Sequence, residues 1–207
     1  MKVLLINGSP HKEGCVFTAL SEVAKQLTVN GVDSEIFHIG TDVVRGCIAC
    51  GACKATGNGC AFKDDLYVAL EQRVKECDAL VVGSPVYYAG PNGSLCAILD
   101  RIFFSLGKYL KYKPAACVVN CRRGGASATY DRLNKYFTIS RMPVVSSQYW
   151  NSTHGFTPDD VKRDLEGMQT MRTLADNMAY LLKAIAKSGE KPLPEEEVIR
   201  TNFHSIE

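Results

Sequence analysis

Four cysteines stand close together in the first third of the chain, Cys47, Cys50, Cys53 and Cys60, spaced Cys-x2-Cys-x2-Cys-x6-Cys. Three thiolates at successive two-residue gaps can wrap one face of an iron–sulfur cubane, and a fourth can close it; such clusters are held by dense thiolate sets. Gly46, Gly51, Gly57 and Gly59 would let the chain bend around that centre. Two other chemistries use the same residues. A structural zinc ion takes four thiolates, although two separated Cys-x2-Cys knuckles are its commoner pattern. A redox thiol pair would use Cys47 with Cys50, or Cys50 with Cys53. Cys77, Cys96 and Cys117 lie among apolar neighbours and read as core residues.

A second group of residues suits an anion. The run Asn7-Gly8-Ser9-Pro10-His11-Lys12-Glu13-Gly14 is a turn that leads into a helical pattern starting at Cys15. A loop entering a helix presents free backbone N–H groups and the positive end of the helix at one point, and phosphate binds there. Ser9 and Thr18 offer hydroxyls, His11 and Lys12 positive charge. The loop is neither GxxxxGK[ST] nor GxGxxG, since Gly8 and Gly14 stand too far apart, so taken alone it also reads as a plain strand-to-helix connection. A third group is aromatic. Ser84 to Gly93 holds Tyr87 and Tyr88 beside Gly90 and Gly93, which let a backbone approach a planar ring closely. Arg122 or Arg123, in Arg122-Arg123-Gly124-Gly125, would put positive charge near the pyrimidine end of a flavin. The bland alternative makes the tyrosines core or interface residues and the arginines a solvated turn.

The elements that must position these groups follow from periodicity. Lys2 to Ile6, Ser34 to Ile39, Ala79 to Gly83, Ala115 to Cys121 and Val144 to Tyr149 read as strands, the first an unbroken apolar run suited to burial on both faces. Helical spacing predicts helices over Cys15 to Thr28, from a cap at Asp64 or Asp65 to Lys75, from Leu95 to Leu110, over Thr129 to Ile139, and from Asp159 to Lys187 with Pro158 in the first turn. On the last of these Met171, Leu174, Met178, Leu181 and Ile185 form one stripe, broadened by Leu165, Met168, Ala175 and Leu182, which suits the sheet, another subunit, or both. Arg45 to Lys63, around the four cysteines, is neither helix-periodic nor strand-like. Alternating strands and helices predict an α/β fold, a parallel sheet with helices on both faces. A single phosphate loop after strand one, with no dinucleotide fingerprint, favours the flavodoxin-like three-layer order 2-1-3-4-5. Ligands then bind at the carboxyl ends of strands one, three and four, where the Ser9 to Thr18, Ser84 to Gly93 and Cys121 to Gly125 loops meet. A phosphate site beside an aromatic-lined ring site fits FMN.

Composition sets the boundaries. With 207 residues the chain suits one flavodoxin-like domain, expected over 1–187, followed by an extended polar tail over 188–207. A formal net charge of +2 gives no electrostatic case for nucleic acid or a membrane surface. Nine cysteines with no secretory signal predict a reducing, cytoplasmic setting.

Gly8-Ser9-Pro10, Gly83-Ser84-Pro85-Val86-Tyr87-Tyr88 and Leu99-Asp100-Arg101 resemble the NAD(P)H-dependent FMN reductase and iron–sulfur flavoprotein family over roughly residues 1–150. The resemblance implies FMN, with its phosphate at Ser9 and around Cys15, Val16, Phe17 and Thr18, near His11 and Gly14. The ring would lie along Pro85, Val86, Tyr87, Tyr88, Ala89 and Gly90 and near Arg122, Gly124 and Gly125. His11 replaces the family's arginine, and Cys15 and Val16 replace Asn-Thr, which leaves Thr18 as the substitute hydroxyl. The compact cysteine motif resembles that of iron–sulfur flavoproteins, with Cys47, Cys50, Cys53 and Cys60 as ligands of a [4Fe–4S] cluster that passes electrons to FMN. Related reductases carry similar cysteines, so a loop that only shapes the flavin pocket is also implied. The family further implies NAD(P)H as donor, a small-molecule electron acceptor, and a homodimer or homotetramer. Two other roles are consistent with these residues: an electron carrier served by a ferredoxin-type partner, and a redox sensor reporting oxidation through the cysteine loop.

Overall fold

The computed structural model describes residues 1–190, 192, 194–199 and 201. The apolar run at the N-terminus forms β1 (Lys2–Asn7) and is covered on both sides. Leu4 and Ile6 face one core, Val3 and Leu5 the other, as the two-residue period of a strand requires. The chain continues through α1 (Cys15–Val29), β2 (Asp33–His38), a short α2 (Ala52–Thr56), α3 (Asp65–Glu76), β3 (Ala79–Tyr87), the two-residue β4 (Gly90–Pro91) and α4 (Gly93–Leu110). It closes with β5 (Ala115–Cys121), α5 (Ala126–Ile139), β6 (Ser152–His154), α6 (Pro158–Arg163) and α7 (Leu165–Ser188).

The main sheet runs β2-β1-β3-β5-β6, and β4 folds back antiparallel on the end of β3. All neighbours along that path are parallel, with Leu5 opposite both Ile36 and Val81, and Val82 opposite Cys117. Taking the five parallel strands in chain order, this is the expected 2-1-3-4-5 arrangement. Helices α3, α4 and α5 cover one face through Leu70, Leu95, Ile102 and Phe137; α1 and α7 cover the other through Leu20, Val23, Leu174 and Met178.

Three expectations need correction. The fifth strand lies at Ser152–His154, not Val144–Tyr149: Val144 makes a single bridge to Ala115 before the chain leaves the sheet. Ser147 explains the excursion, since its Oγ donates to the Tyr149 carbonyl (2.6 Å) and accepts from the Tyr149 N–H (3.3 Å), local bonds that compete with a ladder. The expected single helix after Pro158 is two, divided at Asp164. Asp164 caps α7 by accepting from the Gly167 N–H (2.9 Å), and its other oxygen accepts from the His154 N–H (2.7 Å), which ties the break to the end of β6. The cysteine stretch is not wholly irregular, because it contains α2. The stripe on α7 packs against the sheet and α1 through Met171, Leu174, Ala175, Met178 and Leu182, whereas Leu165 and Ile185 are exposed. Of the extended-tail expectation, positions 191, 193, 200 and 202–207 lie outside the described residues; Glu195 pairs with Lys111 (2.7 Å) and Arg141 (3.0 Å).

Just past the end of α4, Tyr112 holds φ = +65°. A side chain in left-handed backbone costs about 1–2 kcal/mol, and glycine is the usual residue there. Tyr112→Gly is expected to raise the melting temperature by about 1–3 °C after the added flexibility of glycine is counted. A fall in a thermal scan would mean that the ring's contacts outweigh the strain.

Candidate functional site

The carboxyl ends of β1, β3 and β5 bring three loops together. At the first, Asn7 is fully buried and braces the loop from inside: its Oδ1 accepts from the Ser9 N–H (3.1 Å) and its Nδ2 donates to the Lys12 carbonyl (3.1 Å). Ser9 Oγ accepts from the His11 N–H (3.1 Å), which leaves its hydroxyl hydrogen available, and the Ser9 carbonyl meets His38 Nε2 at 2.8 Å. Gly14 is the N-cap of α1 and brings no side-chain cap; the first bond of the helix is Thr18 N–H to the Gly14 carbonyl (3.0 Å). The N–H groups of Cys15, Val16 and Phe17 therefore have no intrahelical acceptor and sit at the positive end of a 15-residue helix. Three free N–H groups at a helix start make a cradle of the kind that suits an anion. Thr18 contributes otherwise than expected: its hydroxyl donates to the Gly14 carbonyl (3.2 Å). His11 and Lys12 are exposed on the rim, and Val16 is a core residue whose share in the cradle is its backbone.

Close packing fixes this cradle to β3. A Cβ on Gly83 would come within 2.7 Å of Val16 and 2.8 Å of Leu20, so the absent side chain lets α1 lie directly on the strand. Gly8 donates its N–H to the Gly83 carbonyl (2.9 Å).

Beyond Gly83, β3 runs out of the sheet into a hairpin. Val86 pairs with Pro91 and Tyr87 with Gly90, so Tyr88 and Ala89 form the turn, both with positive φ (+50° and +57°). Ser84 anchors it: the buried hydroxyl donates to the Pro85 carbonyl (2.8 Å) and accepts from the Asn92 N–H (3.1 Å), while Asn92 caps α4. Tyr88 is fully exposed and Tyr87 nearly half exposed, which leaves aromatic surface available. Ser84→Ala would orphan the buried Asn92 N–H. It is expected to cost about 1–3 kcal/mol in chemical denaturation; wild-type stability would mean that the bond does not hold the hairpin.

The third loop touches the second. Gly125 has φ = +89°, and a Cβ there would fall 2.8 Å from Ala89 Cα and 2.9 Å from Val86. Gly124, beside it, has nothing within 4 Å. Arg122 and Arg123 are exposed, and the Arg122 guanidinium lies 5.7 Å from the Phe156 ring centre.

On the α4 side of the molecule all four sequence-predicted cysteines line one small cavity of about 20 Å³, together with Ile48, Phe62, Phe104 and Arg101. Cys47 and Cys50 are exposed, Cys53 and Cys60 half-buried. Left-handed residues at Ala49, Gly51, Gly57 and Gly59 curl the loop around that space. Among the described residues no three His, Cys, Asp or Glu side chains converge closely enough to grip one metal ion.

Arg101, one hundredth exposed, clamps the loop at both ends. It donates to the Arg45 carbonyl before the first cysteine (3.3 Å) and to the Phe62 carbonyl after the last (2.6 Å), and it pairs with Asp64 (2.6 Å). Burial alone would lower its pKa, but Asp64 first and then Cys60 outweigh that and hold it raised. Tyr67 supports the floor, accepting from the Cys60 N–H (2.7 Å) and sharing a hydrogen bond with Ser105 (2.7 Å). Asn7, Ser84, Tyr67 and Arg101 have no place among the sequence-level site residues. An asparagine before Gly-Ser-Pro is an Asx-turn signal, and an arginine three positions after Ile98, inside an apolar stripe, signals a buried charge; both were readable.

Residues 1–157 match the family model described as NADPH-dependent FMN reductase. The chain belongs to that family. It is an FMN-binding oxidoreductase with a flavodoxin-like fold. It is 32% identical over 195 residues to an iron–sulfur flavoprotein of Methanocaldococcus jannaschii, covering 90% of this chain and all of that one. Two solved structures share the fold at low identity. The flavodoxin WrbA-like protein of Agrobacterium tumefaciens superposes with a TM-score of 0.59 at 17% identity, covering 88% of this chain and 96% of that one. The flavoenzyme NAD(P)H:(acceptor) oxidoreductase FerB of Paracoccus denitrificans gives 0.64 at 18%, covering 88% and 97%. Among the described residues no helix is long and apolar enough to cross a membrane.

Proposed function

We propose that the enzyme takes electrons from NAD(P)H through FMN held at the three strand-end loops and exchanges them with a [4Fe–4S] cluster held by Cys47, Cys50, Cys53 and Cys60. The observation that carries the cluster is the set of four thiols lining one cavity beside a buried arginine whose Nε has no partner among the described residues. Soft thiolates with no carboxylate or imidazole among the described residues on the cavity wall suit iron–sulfur chemistry. A single structural zinc ion is more usually held by two separated Cys-x2-Cys knuckles than by this compact run. The name of the 32%-identical relative points the same way.

The chain's own groups have distinct tasks. The Cys15, Val16 and Phe17 N–H groups and the Ser9 hydroxyl bind the phosphate. The Pro85–Gly90 hairpin and Gly124–Gly125, packed against each other, form one wall for the ring, and their contact excludes water from its edge. Arg122 places positive charge where the reduced ring becomes anionic. FMN, when bound, accepts a hydride and releases electrons singly or in pairs. No side chain is needed as acid or base for that transfer. The acceptor is a small molecule such as a quinone or free flavin, the assembly a homodimer or homotetramer, and the setting the cytoplasm.

One observation favours a second reading, an electron carrier between partner proteins of ferredoxin type: Cys47 and Cys50 are exposed, so a centre there would lie near the surface. An absorption spectrum of anaerobically purified protein, with iron and acid-labile sulfide analysis and NADPH turnover, tests both. Flavin bands with a broad shoulder, about four irons per chain and rapid NADPH oxidation are expected. Flavin and cluster with no turnover would favour the carrier. A colourless protein that does not take up FMN would overturn the residue assignment.

A further inference from the structure

We propose that Arg101 is a positioning residue that sets the reduction potential of the cysteine-lined centre, by donating its Nε–H to the thiolate side of that centre while its other nitrogens clamp the loop. The inference rests on the [4Fe–4S] reading above. Most of the guanidinium is committed: one terminal nitrogen bonds the Arg45 carbonyl, the other the Phe62 carbonyl and Asp64. Nε is buried and has no partner among the described residues. An unmade bond from a buried charged donor is costly and native proteins rarely leave one, so an acceptor is expected at that place. The candidates are on the wall of the same cavity. Arg101 lines it with all four cysteines. Tyr67, 4.8 Å below the guanidinium carbon, keeps the plane in place.

A hydrogen bond to sulfur stabilises the more negative, reduced state of an iron–sulfur centre more than the oxidised one. Arginine remains protonated throughout, so the centre gains one electron and no proton leaves this group. Asp64 opposes part of the charge. What remains specific to Arg101 is the directed N–H.

The test is an anaerobic redox titration followed by electron paramagnetic resonance, on wild type, R101Q and R101K, with iron and sulfide content measured in each sample. At a fixed solution potential the reduced-to-oxidised ratio of the centre is expected to fall about tenfold in R101Q, which is about 59 mV for a one-electron couple. R101K keeps the charge without the planar fork and is expected to fall between. The flavin potential serves as an internal reference and should stay put. A cluster-loaded R101Q that titrates like wild type overturns the proposal and leaves the cluster reading standing. Wild type without iron and sulfide after anaerobic reconstitution overturns both.

If the variants at position 101 lose the centre, a protein that keeps Arg101 still decides. Labelling arginine with 15N in an R45Q background, which removes the other guanidinium at the loop, is expected to give a nitrogen hyperfine coupling to the reduced centre in pulsed resonance. Its absence overturns the proposal.

Discussion

Serine at position 50 is expected to give a protein with wild-type flavin content and almost no iron. The same holds for Cys47→Ser, Cys53→Ser and Cys60→Ser, because all four thiols line the one cavity. An alcohol stays protonated at neutral pH and is a hard donor, so the serine side chain does not replace a thiolate on a cluster. The flavin should remain, since the phosphate cradle at the start of α1 and the Ser84-anchored hairpin use no atom of the cysteine loop. The loop should also keep its course. Its ends are held by Arg101 through backbone carbonyls, and Cys60 is held by its N–H on the Tyr67 hydroxyl, none of which involves sulfur. Cys117→Ser is the contrast, at a fully buried thiol on β5: it is expected to lose stability and keep iron. Iron and sulfide analysis with a flavin extraction reads each case. Wild-type iron in Cys50→Ser would show that the centre lies elsewhere. About one zinc per wild-type chain in place of iron would return the loop to a structural role.

The parts of this site that were legible in the sequence are those that depend on neighbours along the chain. The apolar run of β1, the turn after it and the start of α1 at Cys15 could be read directly, as could a cap of α3 at Asp64 or Asp65; it is Asp64, whose side chain accepts from the Tyr67 N–H (3.1 Å). Parallel order followed from alternation, and the meeting of three loops followed from parallel order. Features that depend on contacts across the chain did not show. Val144–Tyr149 had the composition of a strand, but Ser147 folds that segment on itself and pairing resumes only at Ser152. Asp164 looked like any polar residue of a helix, and its break depends on an N–H of β6 ten residues earlier. The bond that the Thr18 hydroxyl makes to the Gly14 carbonyl, four residues back, is one a helical threonine can make and no pattern announces. Arg101 was visible as part of a motif. That it joins the two ends of the cysteine loop depends on α4 lying beneath that loop, which no local pattern encodes.

Gly125→Ala should weaken FMN binding by about two orders of magnitude while leaving the protein folded. Two costs combine at this position. Its φ of +89° lies where a Cβ is strained by about 1–2 kcal/mol. The new methyl would also stand 2.8 Å from Ala89 Cα and 2.9 Å from Val86, so backbone must move, and overpacking of that kind typically costs about 1–3 kcal/mol. The yielding element is the hairpin rather than β5. β5 is buried, pairing with β3 along Ala115–Asn120 and with β6 at Val119–Cys121, whereas the turn at Tyr88 and Ala89 is exposed and already holds two side chains at positive φ. Displacing that hairpin opens the ring site, and about 2.7 kcal/mol lost from binding is the expected hundredfold. Two companions separate the causes. Gly124→Ala meets nothing within 4 Å in the protein, so any loss of affinity it causes reports the ring itself passing over Gly124. Adding Ala89→Gly to Gly125→Ala removes the methyl that would lie 3.1 Å from the new Cβ and relaxes the turn, and should recover part of the affinity. Fluorescence titration of apoprotein with FMN, beside a circular dichroism melt, measures all three. Wild-type affinity in a folded Gly125→Ala would mean that the contact between the two loops does not shape the ring site, and the phosphate cradle would then have to carry most of the binding.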